Sequence, residues 1–349
     1  MKRKLSIVGL GAAARNIHLP AYRKIPDLEV VGGCDPLAKS GDFDFPLFPS
    51  VDELLDRTTP DILTVATHPS SHFELTRAGL KTGAHVFCEK PFASSLEEAD
   101  EIISLSNRLG RRVVVNNEFR FMNIHAAAKD YISKPQFGDL LFVSMHQTFL
   151  VTEETEAGWR REDPRRTCKD FGTHVFDLCR FFFDEDPHTI SSRMPKPNNP
   201  GGPDYLNLFL LEFSNDRVAH ITLDRLSRGP HRYLDIRLDG TAGSIETSLG
   251  GKIEAGVGIR GGTRRPFATF DVSLGGRARL YHGEKFKKIA SDPLDLFPHA
   301  TERLVRQFLQ ALDAGTTPPC GAEDNRQTLA LMLAAYESHE AKVPIAMAD

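Results

Sequence analysis

The hexapeptide Gly9-Leu10-Gly11-Ala12-Ala13-Ala14 follows an apolar run at residues 5–8 and opens a stretch of helical pattern. A G-x-G-x-x-A segment between a strand and a helix is the fingerprint of a dinucleotide-binding βαβ unit. It narrows the first part of the chain to a parallel, doubly wound sheet. Gly9 permits the tight turn, Gly11 lets backbone approach a pyrophosphate, Ala12 sits where the helix opens, and Ala14 lets helix and strand pack closely. The helix N-terminus then faces the phosphate charge. Asp35, twenty-one residues past Ala14 and beyond a second apolar run at 28–31, stands where a carboxylate accepts hydrogen bonds from the adenosine ribose. Such a carboxylate repels a ribose phosphate, so NAD is the expected cofactor and NADP the alternative. Two blander readings compete: ordinary turns at Gly9 and Asp35-Pro36, and a secretory signal imitated by Lys2, Arg3 and Lys4 before residues 5–14. The spacing from Ala14 to Asp35 favours the dinucleotide site over both.

Strand-like runs recur at 62–66, 86–88 and 113–115, with helical stretches between them. Ser94 and Ser95 each precede a glutamate by three residues, Glu97 and Glu98, so either could close a capping box on the helix that Gly110 ends. The pattern predicts a six-stranded Rossmann domain over residues 1–122. Beyond Phe121 the texture changes. Runs at 140–149, 188–194, 205–213, 218–226 and 233–238 alternate in the manner of half-buried strands, and turn pairs such as Asn215-Asp216 and Asp239-Gly240 separate several of them. Residues 123–349 therefore read as an α+β domain with a large, mostly antiparallel open sheet, closed by helices from about residue 298. A chain of 349 residues agrees with two domains, at roughly 150 residues each.

Charge and composition limit the partner. Forty-three Lys and Arg against forty-seven Asp and Glu leave a net charge of −4, which gives no electrostatic grip on nucleic acid or an anionic membrane. No apolar run approaches a membrane span. Cys34, Cys88, Cys168, Cys179 and Cys320 are odd in number and widely spaced, which fits a reducing compartment and so the cytoplasm. His125, His146, His188, His220 and His231 lack metal-ligand spacing, and no metal is expected. A small-molecule partner is what remains.

Thr67, His72 on the next helix, and Glu89-Lys90-Pro91 fall at the C-terminal ends of strands, where open α/β sheets bind ligands. Lys90, between Phe87, Pro91 and Phe92, reads either as a proton donor or carbonyl polariser or as half of a surface Glu–Lys pair. Asp170, His174 and Asp177 are spaced four and three apart, so a regular helix would project all three from one polar face, with Val175, Phe176 and Leu178 toward the core.

These segments, together with His18-Leu19-Pro20, occur in an order and spacing that resembles the glucose-fructose oxidoreductase / inositol dehydrogenase family (Gfo/Idh/MocA), over nearly the whole chain. The resemblance implies a Rossmann domain followed by a substrate domain whose open sheet often forms the oligomer interface, hence a homodimer or homotetramer. It implies NAD(P)-dependent oxidation or reduction of a hydroxyl or keto carbon of a sugar, polyol or sugar acid. Gly9, Gly11, Ala12, Ala14, Asp35, Thr67, His72, Glu89 and Lys90 would line the cofactor. Lys90 and His174 would flank the reacting carbon, one of them exchanging the hydroxyl proton, with Lys90 slightly favoured, and Asp170 would orient the substrate or the histidine. Arg120, Trp159 and Arg160 fall on the substrate side.

Three departures stand out: His68 before Pro69 where the family has Pro directly after Thr67, Asn123 in place of a common Pro, and the run Arg165-Arg166-Thr167-Cys168-Lys169 where a glycine run is usual. The cations Arg165, Arg166 and Lys169 could recognise a carboxylate or phosphate on the substrate. Two rival functions share the fold: a redox-inactive dinucleotide sensor or co-repressor, and an NAD-dependent glycoside hydrolase that recycles its NADH.

Overall fold

The structure, a computed structural model, describes residues 2–152, 154–156, 158–197, 199–259, 266–283 and 285–347. The first unit places β1 (Arg3–Val8), β2 (Leu28–Cys34), β3 (Ile62–Val65), β4 (His85–Cys88) and β5 (Val113–Val115) in one parallel sheet of order β2-β1-β3-β4-β5. Strands buried on both faces read as continuous apolar runs, and β3 and β5 are buried at every residue. The crossovers include α1 (Leu19–Tyr22), α2 (Val51–Thr58), α3 (His72–Lys81) and α4 (Leu96–Leu109). Ser95 caps α4 by accepting the Glu98 amide, while the Glu98 carboxylate accepts the Ser94 amide at 2.7 Å.

The sheet has five strands, not six. The five apolar runs at 5–8, 28–31, 62–66, 86–88 and 113–115 are those five strands, and beyond β2 the chain adds one isolated parallel bridge, Leu47 beside Gly33. Pro46 and Pro49 flank it, and prolines cannot donate to a ladder.

α1 continues a wide, π-type turn at Ala14–His18. Pro20 explains that turn: it lacks an amide hydrogen, and its ring crowds the carbonyl four residues earlier, so the helix widens just before it.

After α5 (Asn123–Ile132) comes a nine-stranded sheet of order β15-β14-β11-β10-β6-β9-β8-β7-β16, antiparallel except for the β6–β9 pair. Its strands are β6 (Leu140–Thr148), β7 (Thr189–Arg193), β8 (Leu206–Phe213), β9 (Arg217–Asp224), β10 (Arg232–Gly240), β11 (Ser244–Leu249), β14 (Gly276–His282), β15 (Lys285–Asp292) and the short β16 (Ile345–Ala346), with a separate hairpin of β12 (Lys252–Ile259) and β13 (Pro266–Ser273). Burial alternates along β8 and β9, so one face is covered and the other open. Asn215 and Asp216 both adopt positive φ, 61° and 55°, and turn β8 into β9; the next hairpin instead turns beyond Gly240, where the Gly240 amide meets the Gly243 carbonyl at 2.9 Å.

α6 (Thr173–Phe183) packs against β6 and α8, and α7 (Leu296–Ala314) and α8 (Ala322–Ala341) return to the first unit. Phe308 of α7 is fully buried and stacks on Phe87 of β4, and the Val115 amide donates to the Cys320 carbonyl just before α8.

Candidate active site

The C-terminal ends of β1 to β5 converge on one edge. There Gly9 has φ +88°, and a Cβ on it would lie 2.5 Å from the Ala66 carbonyl oxygen, so the turn admits only glycine. Gly11 is different: a Cβ there would meet nothing within 4 Å. Ala14 is completely buried beneath the turn. At the end of β2 the two oxygens of Asp35 accept the Leu10 and Leu37 amides at 2.7 and 2.8 Å. Those bonds aim a carboxylate that pairs with no cation among the described residues. An open surface over Gly11, at the start of a helix and beside an oriented carboxylate, fits the pyrophosphate and ribose of NAD.

Deeper in, buried His72 bridges the Pro91 carbonyl at 2.7 Å and the Thr67 carbonyl at 3.1 Å, and so braces the loop after β3 against the loop after β4. Thr67 itself bonds Ser71, hydroxyl to hydroxyl, at 2.7 Å. Glu89 meets His18 Nε2 at 2.8 Å and accepts from Asn116 Nδ2 at 2.9 Å. Burial alone would raise the Glu89 carboxyl, but His18, Lys90 and Asn116 together bring it down to about 2.

Lys90 Nζ donates to the backbone carbonyl of Asp170 at 2.6 Å and to its Oδ1 at 3.0 Å. Asp170 lies in a second π-type turn, Cys168–Gly172, that leads into α6. Arg160 forks onto both carboxylate oxygens at 2.9 and 2.7 Å, and buried Arg225 adds a contact at 3.4 Å. Against the cost of burial, Lys90, Arg160 and Arg225 hold this carboxyl well below the usual carboxylate range.

His174 is buried and stacks face to face on Phe119 with ring centroids 4.1 Å apart, with Phe171 at its edge. Neither ring nitrogen bonds a described residue, and Nδ1 is sealed from solvent. Burial first, then the Lys90 charge, push the imidazole well below its ordinary range, so it stands neutral beside the ammonium.

The expectation of one polar helix face is corrected here. The π-type turn changes the phase at Asp170, residues 173–180 are all buried, and Asp177 turns away to bond Asn117 Nδ2 at 2.9 Å and Arg120 Nε at 2.7 Å. Arg120 also pairs with Asp324 at 3.0 Å, which makes it a strut between elements. The cationic run is engaged inside the chain as well. Arg166 is buried against the Asp163 and Arg161 carbonyls, Lys169 pairs with Asp163, and Arg165 pairs with Glu340 at 2.6 Å. The Trp159 side chain lies outside the described residues.

Sequence reasoning passed over Arg225 and Glu118. Arg225 continues the inward phase of Ala219, Ile221 and Leu223 along β9, and a charge in that phase was a readable signal. Glu118 lies just past the end of β5, the same kind of position that singles out Glu89. A hollow of about 510 Å³, ringed by Lys2, Arg3, Asp27, Asp61, Arg306 and Asp313, contains none of these groups. Among the described residues no three His, Cys, Asp or Glu side chains gather as for a metal, and no helix is long and apolar enough to cross a membrane.

A Rossmann sheet, a dinucleotide cradle at its carboxyl edge, and a lysine of that edge met by an aspartate and a histidine from a second, β-rich unit define a nucleotide-dependent oxidoreductase architecture. Residues 3–117 match the oxidoreductase family with NAD-binding Rossmann fold, and residues 125–246 match the GFO/IDH/MocA C-terminal domain. The chain belongs to the Gfo/Idh/MocA family. It is 25% identical to D-apiose dehydrogenase of Paraburkholderia graminis, over 96% of this chain and 87% of that protein. It is 29% identical to glucose-6-phosphate 3-dehydrogenase of Bacillus subtilis, over 56% of this chain and 58% of that one. In fold it is similar to an oxidoreductase from Agrobacterium radiobacter solved in complex with NAD+, L-tartaric acid and magnesium: TM-score 0.82, 19% identity, 99% of this chain and 98% of that one.

Proposed function

We propose that this protein is an NAD-dependent dehydrogenase that oxidises a carbinol carbon of a sugar, polyol or sugar acid. The observation that carries the reading is the pairing of an anchored ammonium with a neutral imidazole that bonds no described residue: Lys90 held by Asp170, His174 stacked on Phe119. Oxidation of a carbinol removes one hydride and one proton. NAD, when bound, supplies the hydride acceptor. His174, neutral and unbonded among the described residues, takes the hydroxyl proton, and Lys90 donates a hydrogen bond to the same oxygen as it becomes a carbonyl.

Asp170 positions the ammonium through its carbonyl and its carboxylate, and Arg160 and Arg225 keep that carboxylate ionised. This assigns the base to His174, where sequence alone leaned toward Lys90. Dehydrogenase names among the relatives support a sugar-like substrate. With Arg165, Arg166 and Lys169 engaged internally, recognition of an anionic group falls to other residues. A second copy of the chain would sit on the open face of the nine-stranded sheet, where Leu141 and Leu210 are exposed.

The test is a panel of D-apiose, myo-inositol, D-glucose 6-phosphate and L-tartrate with NAD, followed by NADH accumulation. At least one compound should be oxidised, and Lys90→Ala should lower that rate by about a hundredfold or more while NADH still binds. A panel that yields no NADH contradicts the reading.

A further inference from the structure

We propose that Glu118 is a ligand-binding residue of this site, whose carboxyl group donates a hydrogen bond to an oxygen atom of the bound substrate. The inference rests on the dehydrogenase reading for the identity of that ligand. Glu118 opens the short helical turn Glu118–Phe121, three residues past β5, at the carboxyl edge of the parallel sheet. Its neighbours in sequence fix its place: the Asn117 side chain is bonded to Asp177 and to Asn325, and the Phe119 ring lies flat on His174. The residue is 4% exposed, yet Oε2 is buried without a hydrogen-bond partner.

A buried carboxylate with an orphaned oxygen is costly, because nothing replaces the water it lost. The groups around it deepen that cost. Glu89 and Lys90 face it from the loop after β4, Asp177 from α6, and Tyr233 and Cys320 from β10 and the turn before α8. Lys90 favours ionisation, but it is bonded to Asp170, and Glu118's own amide adds hydrogen-bond support. Burial first, and then the Glu89 carboxylate, push Glu118 up to about 8.

Glu89 and Glu118 thus form a contrasting pair. Both are acids buried near Lys90, but one has His18 and Asn116 as donors and is ionised, while the other has an Oε2 that no described residue bonds and keeps its proton at neutral pH. A protonated carboxyl carries an O–H, and an O–H with no acceptor in the protein is satisfied when a ligand oxygen arrives. Hydroxyl-rich substrates offer such oxygens on the carbons next to the reacting one. A site that donates to a substrate oxygen discriminates strongly against analogues that lack it.

The test has two arms. Infrared difference spectra of the whole protein should show a protonated-carboxyl band at pH 6.5 that fades as pH rises through about 8 and is missing in Glu118→Gln. In the second arm, Glu118→Gln, which stays neutral and keeps an N–H donor, should retain kcat/KM within about threefold on whichever panel compound is oxidised. Glu118→Leu should lose tenfold or more with NADH binding unchanged. Wild type that lacks the band at pH 6.5, or Glu118→Leu as active as Glu118→Gln, overturns the proposal. A panel without turnover defeats the dehydrogenase reading instead, and the infrared arm still decides the state of Glu118.

Discussion

At Asp35, two backbone amides, those of Leu10 and Leu37, hold a carboxylate that no cation neutralises among the described residues. Asp35→Ser removes both the acceptor for the ribose hydroxyls and the charge that repels a ribose phosphate. The KM for NAD should rise about tenfold or more and that for NADP should fall, in line with the loss of a charged hydrogen bond of roughly 1.5–3 kcal/mol. An unchanged ratio of the two KM values would show that Asp35 does not read the ribose. The position of a residue like this one was legible because a motif fixes it relative to a strand end. Lys90 and Asp170 were legible for the same reason, and they do meet. The protein partners of Arg120 and Arg166 were not legible, because they depend on which carboxylate or carbonyl folds against each arginine. For Arg120 those partners are Asp177 and Asp324, far along the chain.

Elements show the same division between pattern and contact. Strand positions followed from apolar runs, and the five runs named in the first unit are its five strands, while the single bridge of Leu47 to Gly33 carried no such signal. The two π-type turns were invisible to a reading based on regular helical spacing, and the second one aims the Asp170 carbonyl at Lys90. The first βα turn offers a sharp test, because its glycines do different work. Gly9→Ala places a methyl 2.5 Å from the Ala66 oxygen at a positive φ, so it should lower the melting temperature even without ligand, at a cost of about 1–3 kcal/mol or more. Gly11→Ala enters open space and should leave the unliganded melting temperature unchanged while it weakens NADH binding about tenfold or more. Equal stability losses in both variants would mean that Gly11 is structural and not reserved for a ligand.

Across the whole molecule, stability should depend on pH through buried histidines that join elements. His125 of α5 donates Nδ1–H to the Phe119 carbonyl at 2.8 Å, is fully buried, and is pushed by burial down to about 4. It stays neutral in the folded protein, while in the unfolded chain it binds a proton below its ordinary value of about 6.5. Its contribution is therefore complete above pH 6.5 and is lost as pH falls toward 4, by up to about 1.4 kcal/mol per pH unit. Denaturant midpoints measured from pH 7.5 to 4.5 should fall in wild type and fall less steeply in His125→Gln. Parallel curves would remove His125 from the account.

The two-unit architecture was legible from the change of texture near residue 121, but the return of α7 and α8 to the first unit was not, since it rests on contacts such as Phe308 on Phe87. The claim that binds both units together is hydride transfer from a substrate carbon to NAD beside Lys90 and His174. It is tested most directly with a compound from the panel carrying deuterium on the oxidised carbon, with the coenzyme analysed by mass. The account predicts one deuterium in each NADH that accumulates, and a rate about a hundredfold lower in His174→Asn. Label that remains on the sugar with no accumulated NADH, or NADH that forms without label, would contradict it.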